Sequence, residues 1–331
     1  MTASLELLQQ ALTTSASAGW AAIFDYAWQL FSLPVPSNKV GPAIVQRDRD
    51  LEAVDLFLAS AAWDLWQSYD TEVEHTADAL ANWWASQLGG KAVLILDGLS
   101  LREVPWLLQG AQTRGFQILQ TKVTGAELPA DTTPFAQALG FAQRSALANN
   151  QGGHSHRLAG AMTESLDLPW IDCSAMIGAE PHWVLWHHWP DNRVHELGGK
   201  AGAGLDKLAQ DAAEKLTSDA FWGLVERLTT GRRLVITSDH GYAASSLFAD
   251  ADGDQAKYLK AAFKNGRWAD PTEPLGNWSP PIDKVLDSRR GRYRYVLGRR
   301  RWKGQSGYPT LTHGGLSVLE VASPFIELSK G

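Results

Sequence analysis

Two short apolar runs, each closing on an acid, constrain this chain more than any other feature. Ala92-Val93-Leu94-Ile95-Leu96 ends in Asp97-Gly98, and Arg232-Arg233-Leu234-Val235-Ile236-Thr237-Ser238 ends in Asp239. A run with no polar alternation is what a strand buried on both faces requires. His182-Trp183-Val184-Leu185-Trp186-His187 reads the same way, with Asp191 a few residues on. Helical patterns from Leu101 to Arg114 and from Leu205 to Leu228 lie between these runs, with a further strand around Gln117 to Val123. The alternation predicts an α/β fold: an open, mostly parallel sheet with helices on both faces.

Two regions depart from that rhythm. Residues 1–88 carry helical spacing, as in Leu51, Val54, Leu58, Ala61, Ala62 and Leu65 and again in Leu80, Trp83, Trp84 and Leu88. Gly89-Gly90 stops that run, so a helical N-terminal region is expected to precede the domain of residues 89–331. Residues 243–311 are rich in Asp, Gly, Pro and Arg, with one strand expected from Arg292 to Leu297, and read as an inserted cap. The net charge of −6 conceals a segment from Lys284 to Lys303 with nine basic residues and one acid. Such a patch concentrates anionic partners whatever the total charge, although a solvated face has the same composition. Fifteen tryptophans spread along the chain suit a Trp-rich core and interface better than one ligand box. One cysteine, no basic apolar leader and no long uncharged apolar run describe a soluble, cytoplasmic protein with no membrane span.

Ligands of open α/β sheets bind beyond the carboxyl ends of the strands, where Asp97, Asp191 and Asp239 are expected. Three carboxylates there repel one another unless a cation lies between them. His240 follows Asp239 directly, His195 lies four residues beyond Asp191, and His313 sits in Thr312-His313-Gly314-Gly315. Mixed Asp/His sets suit zinc or manganese better than calcium. Each residue alone also fits a turn acid or a satisfied histidine, and His154, His156, His187 and His188 stay open as further ligands. In Asp131-Thr132-Thr133-Pro134 the proline suits a first helical turn, so a threonine hydroxyl there either caps the helix or meets the metal as a nucleophile.

Asp97-Gly98, Thr132-Thr133-Pro134, Asp191 with His195, Ser238-Asp239-His240-Gly241-Tyr242 and Thr312-His313-Gly314-Gly315-Leu316-Ser317, followed by Glu320-Val321 and Pro324, resemble the motif order of the alkaline phosphatase superfamily. Within it the chain resembles PglZ-domain proteins over residues 91–242 and 312–328. The resemblance implies two divalent ions, zinc before manganese, with Asp97, Thr132, Asp239 and His240 on one and Asp191, His195 and His313 on the other. It implies phosphodiesterase or phosphatase chemistry through a covalent intermediate on Thr132, with Thr133 the alternative, and an association with bacteriophage defence. Other readings remain: another ester hydrolase of the superfamily, or a metal-stabilised scaffold that recruits a protein partner through its N-terminal helices. Arg292 and Arg294 of the basic segment are expected to gather a nucleotide or oligonucleotide substrate.

Three motifs are set aside. Gly198 to Gly204 lacks the Ser or Thr of a phosphate loop, and Asp250, Asp252 and Asp254 lack the Gly and Glu of a calcium loop. Gly152-Gly153-His154-Ser155-His156-Arg157 reads as a loop that could touch substrate.

Overall fold

In the computed structural model of the chain, the described residues are 6, 14–86, 88–151, 153, 155–199, 204–244, 250–272, 280–304 and 307–330. The apolar runs form the centre of a six-stranded sheet. These are β1 (Gly90–Leu96), β4 (His182–His187) and β5 (Arg232–Thr237), joined by β2 (Gln117–Gly125), β3 (Met162–Leu166) and β9 (Ala322–Ser329). The order is β2-β9-β5-β1-β4-β3, with β1 parallel to both β4 and β5, and β9 antiparallel to its two neighbours. Alternate residues serve opposite faces. Ala92, Leu94 and Leu96 join one apolar core with Trp183, Leu185, Leu234 and Ile236, while Val93 and Ile95 join another with Val184, Trp186 and Val235. This is the two-faced burial that an unbroken apolar run demands.

Helices cover both faces. α1 (Ala16–Phe31), α2 (Val40–Ser60) and α3 (Trp63–Glu72) bury Trp20, Leu51, Leu58 and Trp66 in the first core, with α5 (Val104–Thr113) beside them. α4 (Thr76–Ser86) and α6 (Thr132–Leu139) bring Trp83, Trp84, Phe135 and Leu139 to the second. The helical pattern around Ala61-Ala62 is thus divided between α2 and α3, with Ala62 buried and Ala61 exposed. α7 (Trp170–Met176) and α8 (Asp191–Gly198) flank β4. The single helix expected from Leu205 to Leu228 is two, α9 (Leu205–Thr217) and α10 (Asp219–Thr229). Ser218 is extended and its hydroxyl accepts from the Phe221 amide, so it starts a new helix where propensity alone would continue the old one.

The segment read as an insertion holds a small core built from α11 (Gly253–Phe263) and a second sheet of β6 (Trp268–Ala269), β7 (Asp283–Ser288) and β8 (Gly291–Val296), with Tyr258, Leu259, Phe263, Ile282, Val296 and Trp302 packed inside. A short helix, α12 (Val318–Val321), leads into β9. Asp250 pairs with Arg301, and Asp254 with Lys257 on the surface, so the acidic turn forms ordinary ion pairs. Lys200 to Ala203 of the glycine-rich loop, and Gly152 and His154, lie outside the described residues.

A buried ion network ties α2 to the sheet. Asp48 accepts from Arg102 Nε at 3.0 Å and Nη2 at 2.6 Å and also pairs with Arg299, whose Nε donates to Asp55 at 2.8 Å. The second Asp55 oxygen accepts from the Val318 amide at 2.7 Å. All four charged side chains are buried. Removing one member of such a set strands the others without water. Asp48→Ala should therefore cost about 3–5 kcal/mol, read as a lower denaturant midpoint at unchanged slope. A loss below about 1 kcal/mol would show that water reaches the two arginines.

Candidate metal and ester-binding site

The strand order sets β5, β1 and β4 side by side, and their carboxyl ends bring three carboxylates together. Asp97 follows β1, Asp239 lies just beyond β5, and Asp191 opens α8 after β4; all three are buried. Gly98 takes a positive φ of 70° and its amide donates to Asp239 Oδ1 at 2.9 Å; a Cβ there would stand 3.1 Å from Asp191 Cβ. The Asp-Gly pair thus lets β1 turn without displacing its neighbour. Trp186 Nε1 donates to Asp97 Oδ2 at 3.1 Å from the adjacent strand.

Histidines close the cluster. His240 Nε2 stands 3.4 Å from Asp239 Oδ2 and 3.8 Å from Asp97 Oδ1, and its Nδ1 lies 2.9 Å from the Gly241 carbonyl oxygen. Donation from Nδ1 to that oxygen leaves Nε2 with its lone pair facing the carboxylates, the arrangement of a ligating imidazole. His195 Nε2 is 3.3 Å from Asp191 Oδ2, and His313 Nε2 is 3.5 Å from Asp191 Oδ1 and 3.3 Å from His195 Nε2. The loop carrying His313 is pinned by Gly315 N–H and Ser317 Oγ donating to buried Glu320, at 2.8 and 2.6 Å. Gly314 is required there: its φ is 99°, and a Cβ would come within 2.7 Å of Trp268.

Thr132, at the start of α6, donates from Oγ1 to Asp97 Oδ1 at 3.3 Å. Thr133 is more exposed and lines the same groove. Asp97, Thr132, Asp191, His195, Asp239, His240 and His313 therefore converge at one place, although they come from five separated segments. The donor set fits divalent cations. Asp191 Oδ1, Asp239 Oδ2 and His240 Nε2 are buried and have no hydrogen-bond partner, a condition that is costly unless a cation meets them. Electrostatics agree. Burial, then the fields of Asp239 and Asp191, push the Asp97 carboxyl up to about 8, and burial raises Asp239 to about 6. For Asp191 burial acts upward too, but the His195 hydrogen bond and the fields of His313 and His240 outweigh it and hold the group well below the carboxylate range.

Other histidines hold different positions, His188 among them on the wall of the Thr132 groove. His187 Nε2 donates to Leu168 O at 2.9 Å while its Nδ1 accepts from the Trp189 amide at 3.0 Å, so both nitrogens are occupied in a single neutral tautomer. His188 faces Ser165 Oγ at 3.0 Å, and His156 stacks on Phe141. Arg292 is 65% exposed and lies 3.9 Å from Asp287, and Arg294 is held by Asp283 at 2.5 Å and the Tyr258 hydroxyl at 3.0 Å. Neither lines the groove over the carboxylates; from the same strand it is Tyr293 that stands beside Thr133, at a neighbouring cleft with Trp268. Arg292 and Arg294, expected to gather substrate, are thus not brought to the groove that holds Thr132.

Two residues at the site had no signal in the sequence. Asp131 caps α6 through the Thr132 amide at 2.8 Å and accepts from Trp268 Nε1 at 3.0 Å, which locks the threonine loop against the insertion. Arg144, 26% exposed, pairs with Asp97 from the wall of the groove. No spacing rule links it to Asp97, which is 47 residues earlier.

The His187 geometry carries a pH consequence. Burial lowers its pKa to about 4, from the ordinary histidine value of 6.5. Between those values the unfolded chain binds a proton that the native one does not, so stability falls as pH drops through that window. His187→Asn, which keeps an acceptor where Nδ1 stands, should flatten part of that fall in denaturation midpoints taken from about pH 7 to about pH 4.5. An unchanged slope would mean the ring protonates in place.

No protein-family model matches the sequence, and none of the curated proteins compared is significantly similar. Among solved structures, the chain is similar to murine ectonucleotide pyrophosphatase/phosphodiesterase 5, both as such (15% identity, TM-score 0.47, covering 72% of this chain and 88% of that one) and as an inactive variant in complex with AMP (14%, 0.46, 73% and 88%). The human protein of the same name is similar at 13% identity and a TM-score of 0.40, over 72% and 87% of the two chains. Likeness at this level says nothing of activity, which has to be read from the side chains themselves.

Proposed function

We propose that the chain is a metal-dependent phosphoric ester hydrolase with Thr132 as nucleophile, of the PglZ-like type that its motif order resembles. The observation that carries this reading is the Thr132 hydroxyl, bonded to Asp97 beside buried carboxylates and the buried His240, where Asp191 Oδ1, Asp239 Oδ2 and His240 Nε2 lack hydrogen-bond partners. Asp97, Thr132, Asp239 and His240 would hold one divalent ion and Asp191, His195 and His313 the other, zinc or manganese being suited to such donors. Bound there, the ions would supply charge compensation for the attacking, leaving and phosphoryl oxygens.

The protein's own groups do the rest. Asp97 orients the Thr132 hydroxyl so that an Oγ1 lone pair faces the groove. The first amides of α6 present partial positive charge to phosphoryl oxygens. Arg144, alone among the described residues lining that groove, can pair bidentately with two phosphoryl oxygens. Attack forms the Oγ1–phosphorus bond as the hydroxyl proton passes to water and the leaving oxygen departs with its electron pair; water then adds to phosphorus, the bond to Oγ1 breaks, and the threonine oxygen takes back a proton from that water. The contact to Asp97 favours Thr132 over Thr133.

Elemental analysis of protein purified without chelator should find about two divalent ions per chain. Turnover of bis-p-nitrophenyl phosphate or p-nitrophenyl phosphate should vanish with chelator and return with zinc or manganese. Thr132→Ala should cut turnover by about 10³ or more while Thr133→Ala retains much of it. An active preparation without metal, or an active Thr132→Ala protein, would overturn the proposal. Arg144→Ala should raise the Michaelis constant roughly tenfold; an unchanged constant would leave that arginine with no part in phosphate binding.

A further inference from the structure

His195 lines two cavities. One, of about 440 Å³, is the groove over Thr132 and Asp191. The other, of about 330 Å³, shares only His195 with that groove and is lined by the end of α8 and by residues within 264–267 and 300–312. Its walls include Lys264, Asn265, Arg300, Arg301 and Trp302, and no carboxylate among the described residues. Arg301 is accounted for by Asp250. Arg267, at the cavity floor, is spent on Glu320 and on the carbonyls of Gly298 and Arg300. Arg300 is different. It is half-buried, its Nε is buried without a hydrogen-bond partner, and no carboxylate among the described residues pairs with it. A desolvated guanidinium is costly unless an anion meets it.

We infer that this second cavity is an anion subsite that receives the leaving group of the scissile ester. The substrate class is then a phosphodiester or phosphoanhydride whose leaving group carries a phosphate of its own. The direction rests on the hydrolase reading above. Attack by Thr132 is in line, so the leaving oxygen departs on the opposite side of phosphorus, toward the imidazoles of His195 and His313. The cavity opens there. As the bond to phosphorus breaks, the leaving oxygen keeps the electron pair and takes a proton from water. The anionic remainder of the leaving group lies against Arg300.

The subsite itself can be tested without turnover. In chelator-treated protein the carboxylate cluster repels anions, so bound anion reports the cationic cavity. Inorganic pyrophosphate titrated calorimetrically should bind the parent protein, more weakly as salt rises. Affinity should drop roughly tenfold or more in Arg300→Ala and less in Arg300→Lys. A parent protein that binds no pyrophosphate, or an alanine variant that binds it equally well, overturns the subsite. The direction is tested with metal-loaded protein and three esters that share a thymidine 5′-phosphoryl group: the p-nitrophenyl ester, thymidine triphosphate and the 5′-phosphorylated dinucleotide. Arg300→Ala should raise the Michaelis constant about tenfold for the triphosphate, the dinucleotide or both, and less than about twofold for the p-nitrophenyl ester. Which of the two responds tells an anhydride from a polynucleotide. Equal effects on all three overturn the leaving-group assignment. Failure of the parent protein to cleave any of them, with pyrophosphate still bound, overturns the hydrolase reading and leaves the anion site standing.

Discussion

Mutual repulsion among Asp97, Asp191 and Asp239 is the constraint around which the structure is organised. Three adjacent parallel strands can carry carboxylates at their ends only if something positive, or a set of donors, is held among them. The chain supplies some of this itself. Gly98 N–H donates to Asp239, Trp186 Nε1 to Asp97, and Arg144 pairs with Asp97. His195 and His313 bracket Asp191. What is left, three buried acceptor atoms with no partner, is a deficit of positive charge of the kind that divalent cations fill. A scaffold selected for stability alone would have exchanged these groups for apolar ones.

Rigidity of the His313 loop has a separate origin. The Asp48, Arg102, Arg299 and Asp55 network runs from α2 through the strand ends to the Val318 amide, and Glu320 continues it to Gly315. Arg102 also donates to the carbonyl oxygen of Tyr242 at 2.7 Å, and the Tyr242 hydroxyl donates to Glu103 at 2.6 Å. The segment after Asp239-His240 and the loop of His313 are thus braced by the same buried charges. The N-terminal helices, which the motif order leaves unexplained, brace the site from behind through Asp48 and Asp55, and Trp20, Trp66 and Tyr69 pack edge to face among them.

The sequence was legible wherever a short local pattern suffices. Runs such as Val93-Leu94-Ile95-Leu96 cannot be half-exposed strands, and acids at their ends have one place to go. Patterns that depend on a distant partner were not legible. β3 reads Met-Thr-Glu-Ser-Leu, an edge strand whose only paired neighbour is β4, and β9 runs antiparallel through Pro324 beside β2. Neither has an apolar signature strong enough to separate it from loop. The break at Ser218 needed only one hydroxyl in a favourable helical context. Arg144 and Arg300 look like any surface arginine until the fold sets one against Asp97 and leaves the other, among the described residues, without a carboxylate.

The basic segment shows why charge composition misleads in both directions. Its excess of arginine looks like a field waiting for a polyanion, yet four of its arginines, Arg289, Arg290, Arg299 and Arg301, answer acids from remote parts of the chain. Arg289 meets Asp78 at 2.6 Å, Arg290 meets Glu127 at 3.3 Å, Arg294 meets Asp283, and Arg299 meets Asp48 and Asp55. Part of the negative balance elsewhere in the sequence is met by this segment, through Asp48, Asp55 and Asp78 of the N-terminal helices and through Glu127. A cation that remains after such cancellation is more informative than the patch that contained it. Exposure makes such a residue cheap, as for Arg292, but Arg300 is half-buried on a cavity wall that also includes His195, where desolvation of a guanidinium with no carboxylate among the described residues has to be compensated.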